Sequence, residues 1–288
     1  MLECVPNVSE GRDVAVLDAV AAACGASLLD VHQDPDHHRA VLTLAGTPRD
    51  VQDAVRALAR AVVERVDLDR HEGVHPRLGA LDVVPFVALD STAPDVAVSA
   101  AHRFGEWAAA EVGAPVFFYG DADDRLRTLP SVRATAFRSR QPDLTPARLR
   151  PGVGAIAVGA RPVLVAINCE LDRDDLALAR DIAHAVRERD GGLPGVRALG
   201  LHLASRSRAQ VSMNLVDLSR TGVQVVCEVV RARARDAGAD VERVELVGLL
   251  PAAELARCSA DFLAWSGLSP TQTIEHRLDH PGVGVSDG

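Results

Sequence analysis

Lysine is absent: the 288-residue chain has 31 basic side chains, all of them arginine. With no ε-amine there is no P-loop lysine, no Schiff-base nucleophile and no lysine general base. Every fixed cation is a guanidinium, whose planar fork suits bidentate carboxylate binding. Cysteine is sparse. Cys4, Cys24, Cys169, Cys227 and Cys258 are scattered through apolar contexts without a C-x-x-C pair. That argues against a zinc site or a disulfide framework and for a reducing, cytoplasmic setting. Positive charge is not in surplus either. A net charge of −9 argues against nucleic acid as the main partner. No apolar run approaches the roughly 18 residues of a membrane span. The opening Met-Leu-Glu-Cys-Val-Pro carries no basic region, so no secretory signal is expected.

What is present suffices for a large core. The chain is 48% hydrophobic and 25% charged, which fits one or two soluble domains. Leu2 to Val5 reads as a strand, and Pro6 to Gly11 as a turn. Val16, Leu17, Val20 and Ala23 recur at helical spacing over Asp13–Cys24, with Gly25 as a C-cap. Strands at 27–31 and 40–45 flank a polar loop, and a helix over 48–66 follows. Beyond residue 80 come a strand over 81–89, a helix over 94–112 and a strand over 116–119. The order β-α-β-β-α-β, extended by α-β, is the ferredoxin-like pattern. A doubly wound α/β sheet is the alternative. The short link between Val31 and Ala40 leaves no room for the crossover helix it needs. Residues 120–152 are irregular and mixed in charge, as in a solvated linker.

The second half repeats the pattern. A strand over 163–167 leads to a helix over 172–189, strands over 198–203 and 209–217, a helix over 223–238 and a strand over 243–248. A final helix is expected over 251–265 and a loose tail after Leu278. The predicted fold class is therefore α+β, with two ferredoxin-like subdomains in tandem (1–160 and 161–278) and a tail, 279–288.

One stretch concentrates the polar chemistry. Arg70-His-Glu-Gly-Val-His-Pro-Arg77 precedes the apolar run Leu81–Leu89, and Gly73, Pro76 and Gly79 forbid a regular helix there. A loop that displays polar groups and then enters a buried strand is a favoured place for chemistry. His75 reads either as a turn-capping histidine or as a general acid/base. Pro76 fixes the backbone beside it, and Arg77 offers an anion partner. His71, without a rigid neighbour, is expected to face solvent or to support the site. Asp36, His37 and His38 also cluster. Adjacent histidines cannot readily share one ion, and no partner set is spaced for it, so no metal is expected.

The string His71-Glu-Gly-Val-His-Pro-Arg-Leu-Gly-Ala-Leu-Asp-Val-Val-Pro-Phe86 resembles the signature of the glutamate formiminotransferase family. That family forms the N-terminal part of formiminotransferase-cyclodeaminase and also occurs as stand-alone bacterial enzymes. Further similar stretches span nearly the whole chain. They are Glu3–Gly11, Leu28–Asp30, Asp36–Arg39, Pro115–Gly120, Pro151 with Gly154-Ala155, Val158–Arg161, Gln210–Asp217, Glu245–Pro251 and Ser269–Leu278. There are departures. His38 stands where the family usually has Asn, and Thr145 replaces a Gly. The usual Gly-Glu pair is missing around Arg133–Phe137, and the linker is short. These bear on substrate affinity or identity more than on proton transfer.

The resemblance implies transfer of a formimino group from N-formimino-L-glutamate to N5 of tetrahydrofolate, releasing L-glutamate, in histidine degradation and one-carbon metabolism. It implies tetrahydrofolate as co-substrate, a substrate cleft or tunnel between the subdomains, and a possible homodimer. A separate enzyme is expected to take the product. His75 stands at the position of the family's catalytic base. The family's folate-binding segment falls on 145–154, including Thr145, Arg148, Arg150, Gly152 and Gly154. Both substrates carry carboxylates, so Arg39, Arg77 and Arg161 are candidate anion partners or, alternatively, surface ion pairs. Asp30 is suited to a cationic amidine, or to capping a turn. Asp82, set among apolar residues, is expected to make a structural hydrogen bond. Asn168 and Asn214 are suited to the pterin edge, or to satisfying buried backbone. Two other functions use the same features: a glutamate formyltransferase acting on 5-formyltetrahydrofolate, and a non-catalytic folate-binding relative.

Overall fold

The computed structural model describes residues 1–68 and 77–280. They divide into two compact units, one ending at Pro162 and the other running from Val163 to His280. Both mix helices with an open sheet, so the fold is α+β. No helix among the described residues is long and apolar enough to cross a membrane.

The first unit begins with two short strands, β1 (Leu2–Cys4) and β2 (Asn7–Val8), interrupted at Pro6, which has no amide to give a ladder. Helix α1 (Val14–Ala23) starts where the Asp13 carboxylate accepts the Val16 amide. Then come β3 (Leu28–Asp34), β4 (Arg39–Gly46) and α2 (Pro48–Arg65). Thr47 caps α2 and Pro48 opens it. Val51, Val55, Leu58 and Val62 form its buried stripe. After β5 (Leu81–Ala88) follow α3 (Pro94–Trp107), β6 (Val116–Gly120), α4 (Leu129–Thr135) and β7 (Ile156–Ala160).

Strand β3 is an edge paired with β4. Strands β1 and β2 together lie between β4 and β5, all antiparallel, and β7 and β6 continue the sheet in parallel. One face carries the main core, in which Val55, Leu58 and Phe104 pack on Leu42, Leu44 and Phe86. A smaller cluster (Val83, Phe117, Tyr119, Ala157) lies on the other face with Val132 of α4 and Ala136 just after it.

Two elements of the first unit differ from the sequence expectation. Residues 156–160, to which the sequence pattern assigned no element, form β7, between β5 and β6. Gly159 is needed within it because the Tyr119 ring lies there, where a β-carbon would overlap it. The irregular stretch 120–152 contains α4, capped by Thr128 and opened by Leu129-Pro130.

The second unit comprises β8 (Val165–Leu171), α5 (Leu176–Val186), β9 (Val196–Leu203), β10 (Arg208–Leu215), α6 (Val223–Asp236) and β11 (Val241–Val247). Its antiparallel sheet has the order β11-β8-β10-β9. In both units the first strand of a β-α-β-β-α-β run sits between the fourth and the third. Gly200 lets α5 lie directly on β9, since a β-carbon there would overlap the Arg180 backbone. The expected helix over 251–265 is two helices, α7 (Ala252–Leu255) and α8 (Ala260–Ser266). Ser259 caps a fresh start there by accepting the Phe262 amide. Helix α9 (Ile274–Asp279) follows.

Candidate substrate-binding site

Two β-bulges set the polar face of the first sheet. In β3, Leu28 pairs with Leu44 but Asp30 pairs with Thr43, so one extra residue is inserted. In β5, Leu81 pairs with Val8 and Val83 with Asn7, which leaves Asp82 without a counterpart on β2. Each bulge shifts the alternation by one residue, so a carboxylate stands on the face opposite α1–α3. Asp30 and Asp82 are each 2% exposed. Glu3, Asn7, His32 and Thr43 are also buried, on strands whose alternate residues fill the main core. Buried polar groups of this kind require hydrogen-bond or charge partners, and Asn7 donates Nδ2 to the Val5 carbonyl at 2.8 Å.

Asp82 is the centre of an arginine cluster. Its Oδ1 accepts the Leu78 amide at 2.7 Å and Arg133 Nη1 at 3.3 Å, and its Oδ2 accepts Arg133 Nη2 at 2.5 Å. The expectation of a structural hydrogen bond at Asp82 thus holds, with Arg133 as an additional partner. Arg39, whose Nε is wholly buried, and Arg77 both feel Asp82. Burial, opposed by Asp82 and Asp34 but reinforced by Arg133 and Arg77, lowers Arg39 to about 10. Burial also lowers Arg77, with Asp82 opposing and Arg12 and Arg133 adding repulsion. Three guanidiniums, Arg39, Arg77 and Arg133, thus gather about Asp82, a grouping that can hold an anion.

Arg77 follows His75 and Pro76 directly in the chain, and the His75 prediction lies outside the described residues. The chain on either side of 69–76 is held by the predicted folate segment. The Leu68 amide donates to the Gly152 carbonyl at 3.0 Å. The Ala80 amide donates to Val153 and the Ala155 amide to Leu78, both at 2.8 Å. Gly79 and Gly154 form the bridge between. Gly152 (φ 73°) and Gly154 (φ 66°) adopt left-handed backbone that suits glycine. Thr145, Arg148 and Arg150 are exposed. The Arg150 amide donates to Gly113, which fixes the backbone there.

The other predicted residues are placed elsewhere. Arg161 donates its amide to Phe86 and Nη1 to the Pro162 carbonyl. Burial raises the Tyr119 phenol to about 12, and Arg161, hydrogen-bonded to it, opposes the shift. Asn168 and Asn214 belong to the second unit. Asn168 is buried and donates Nδ2 to Glu245 at 2.9 Å, whereas Asn214 is exposed on β10. His37 pairs with Asp34, and His38 Nε2 lies 3.0 Å from Glu10. His38 has φ 51°, a conformation in which Asn is tolerated best after Gly. That gives the family's usual Asn a backbone reason. Sequence reasoning had not placed Arg133 in the site, because its partner lies 51 positions away.

Residues 1–161 match the model of the formiminotransferase domain, N-terminal subdomain, and residues 166–276 that of the formiminotransferase domain. The chain belongs to the formiminotransferase family. It is 34% identical over 296 residues to a glutamate formimidoyltransferase of Thermoplasma acidophilum, covering 97% of each chain. It is 36% identical over 278 residues to the Streptococcus pyogenes protein of that name, covering 91% of this chain and 93% of the relative. To the formimidoyltransferase-cyclodeaminase of Sus scrofa it is 36% identical over 298 residues, covering 96% of this chain and 55% of that longer protein. As a formiminotransferase, the chain carries its arginine cluster within the part matched by the N-terminal subdomain.

Proposed function

We propose that the protein is a glutamate formimidoyltransferase, moving the formimino group of N-formimino-L-glutamate to N5 of tetrahydrofolate and releasing L-glutamate. The observation that carries this is the end-to-end similarity to relatives of that name. The arginine cluster beside the His75-Pro76-Arg77 sequence supports it, since both substrates carry carboxylates. The reaction takes a place in histidine degradation.

In the mechanism we assign, N5 attacks the amidine carbon and gives its proton to His75. The tetrahedral adduct then breaks the bond to the glutamate nitrogen, which takes a proton back from His75. Formation of one C–N bond and cleavage of the other balance, with no net proton change. Arg39 and Arg77 bind substrate carboxylates. Asp30, 2% exposed beside Thr43, faces the cationic amidine. The segment from Thr145 through Arg148 and Arg150 to Gly152 and Gly154 binds folate. Arg161, Asn168 and Asn214 contribute to folate recognition. The strand orders of both units support a tandem ferredoxin-like assignment, 1–160 and 161–278, followed by a tail. Scattered free thiols support a reducing cytoplasm.

A steady-state assay with both substrates tests this reading. Acid treatment converts the 5-formimino product to the 5,10-methenyl form, whose absorbance is followed. Turnover is expected. Folate binding without turnover would assign another donor or acceptor.

A further inference from the structure

We propose that Arg133 is a positioning residue for the transfer reaction: through Asp82 it fixes the backbone at Leu78, and with it the presentation of Arg77. This rests on the reading of the site as a formimidoyl-transfer site.

Three observations carry the inference. First, Arg133 engages both oxygens of Asp82, and one of those oxygens also accepts the Leu78 amide. The two side chains are 16% and 3% exposed, so water competes little for the bonds. The chain of contacts thus runs from a helix to the residue next to Arg77. Second, α4 holds Arg133 firmly. The neighbouring Val132 and, three positions on, Ala136 are buried against Phe117, Ala155 and Ala157, while Thr128 caps the helix start. Third, Asp82 also attracts Arg39 and Arg77, so its orientation bears on both of those cations. The planar fork of Arg133 fixes both Asp82 oxygens together.

The test uses the full chain with Arg133→Met and Arg133→Lys. Hydrogen exchange is followed by mass spectrometry in the peptide 77–82, with 165–171 as internal reference, alongside steady-state kinetics. In Arg133→Met, exchange in 77–82 is expected to accelerate about tenfold while the reference is unchanged. The KM for N-formiminoglutamate is expected to rise about tenfold, as for loss of Arg77 itself, with KM for tetrahydrofolate within about twofold. Arg133→Lys should recover only part, since an ammonium lacks the fork. Adding Asp82→Asn to Arg133→Met should cost little more, because the two act as one unit. Unchanged exchange in 77–82, or accelerated exchange in both peptides, would overturn the proposal. So would an unchanged KM for N-formiminoglutamate in a variant with accelerated local exchange. If the unmodified protein fails to turn over, the transfer reading falls, while exchange still decides whether Arg133 fixes Leu78 through Asp82.

Discussion

Gly154 lies against the carbonyl of Leu78 so closely that no side chain fits between them. A β-carbon on Gly154 would overlap that oxygen, and one on Gly79 would overlap the carbonyl of Ala155. With the Leu68–Gly152 bond, this contact ties the chain before and after 69–76 to one short stretch, 152–155.

Replacing Gly154 with Ala should therefore be severe. The φ of 66° and the overlap with backbone act together, for a loss of about 3 kcal/mol. Gly238 is the control. Its φ is 74°, but nothing lies within 4 Å of an added β-carbon, so Gly238→Ala should cost only about 1 kcal/mol. Urea denaturation of the two variants measures the difference, and equal losses would contradict the close approach.

His75→Ala should leave folding and tetrahydrofolate binding intact. Turnover should fall by about 10²–10⁴-fold, the range for loss of a general acid/base. Equilibrium folate binding and the acid-developed absorbance assay measure the two quantities separately. Unimpaired turnover would remove His75 from the mechanism.

Arg77→Ala and Arg39→Ala should raise KM for N-formiminoglutamate by about tenfold or more each, as expected for a lost charge-assisted carboxylate contact. Arg39→Ala should also cost less stability than its burial suggests, because the guanidinium is already depressed to about 10 by burial and by its cationic neighbours. Kinetics and thermal unfolding of the same preparations check both outcomes.

Asp240 gives the second unit an acid-dependent term. Burial raises its carboxyl, but bonds from Arg235, Arg231 and the Val241 amide outweigh this and hold it at about 2. A carboxyl whose folded pKa lies below its unfolded value contributes stability that is complete above about pH 4 and is lost as the pH falls through 2. Asp240→Asn should therefore lower the urea midpoint modestly at pH 6, since the pair is partly solvated. The gap should narrow below pH 4 and close below pH 2. A gap independent of pH would exclude the charge as its cause.

Much of the fold was legible because local chemistry wrote it. The stripe Val51, Val55, Leu58, Val62 and the cap at Thr47 mark α2 without reference to the rest of the chain. The concentration of His, Arg, Gly and Pro over 70–79 marks that stretch as a candidate site for the same reason. Strand β7 was not legible, because it is only five residues long and holds a glycine, Gly159, whose place is set by the Tyr119 ring. The bulges were hidden too. In an unbroken strand Asp82 would share a face with Val84, which is part of the main core, and only the extra residue turns it away.

The sequence by itself determined the secondary-structure rhythm, the all-arginine cation set and the family, because periodicity, caps and motifs are properties of neighbouring residues. The tertiary structure decided which charges meet. Arg39, Arg77 and Arg133 come from β4, from the chain ahead of β5 and from α4, and they share Asp82 only because strand pairing and helix packing bring those elements together. Coulomb interactions depend on distance in space, and no local feature of the sequence encodes a distance across a sheet.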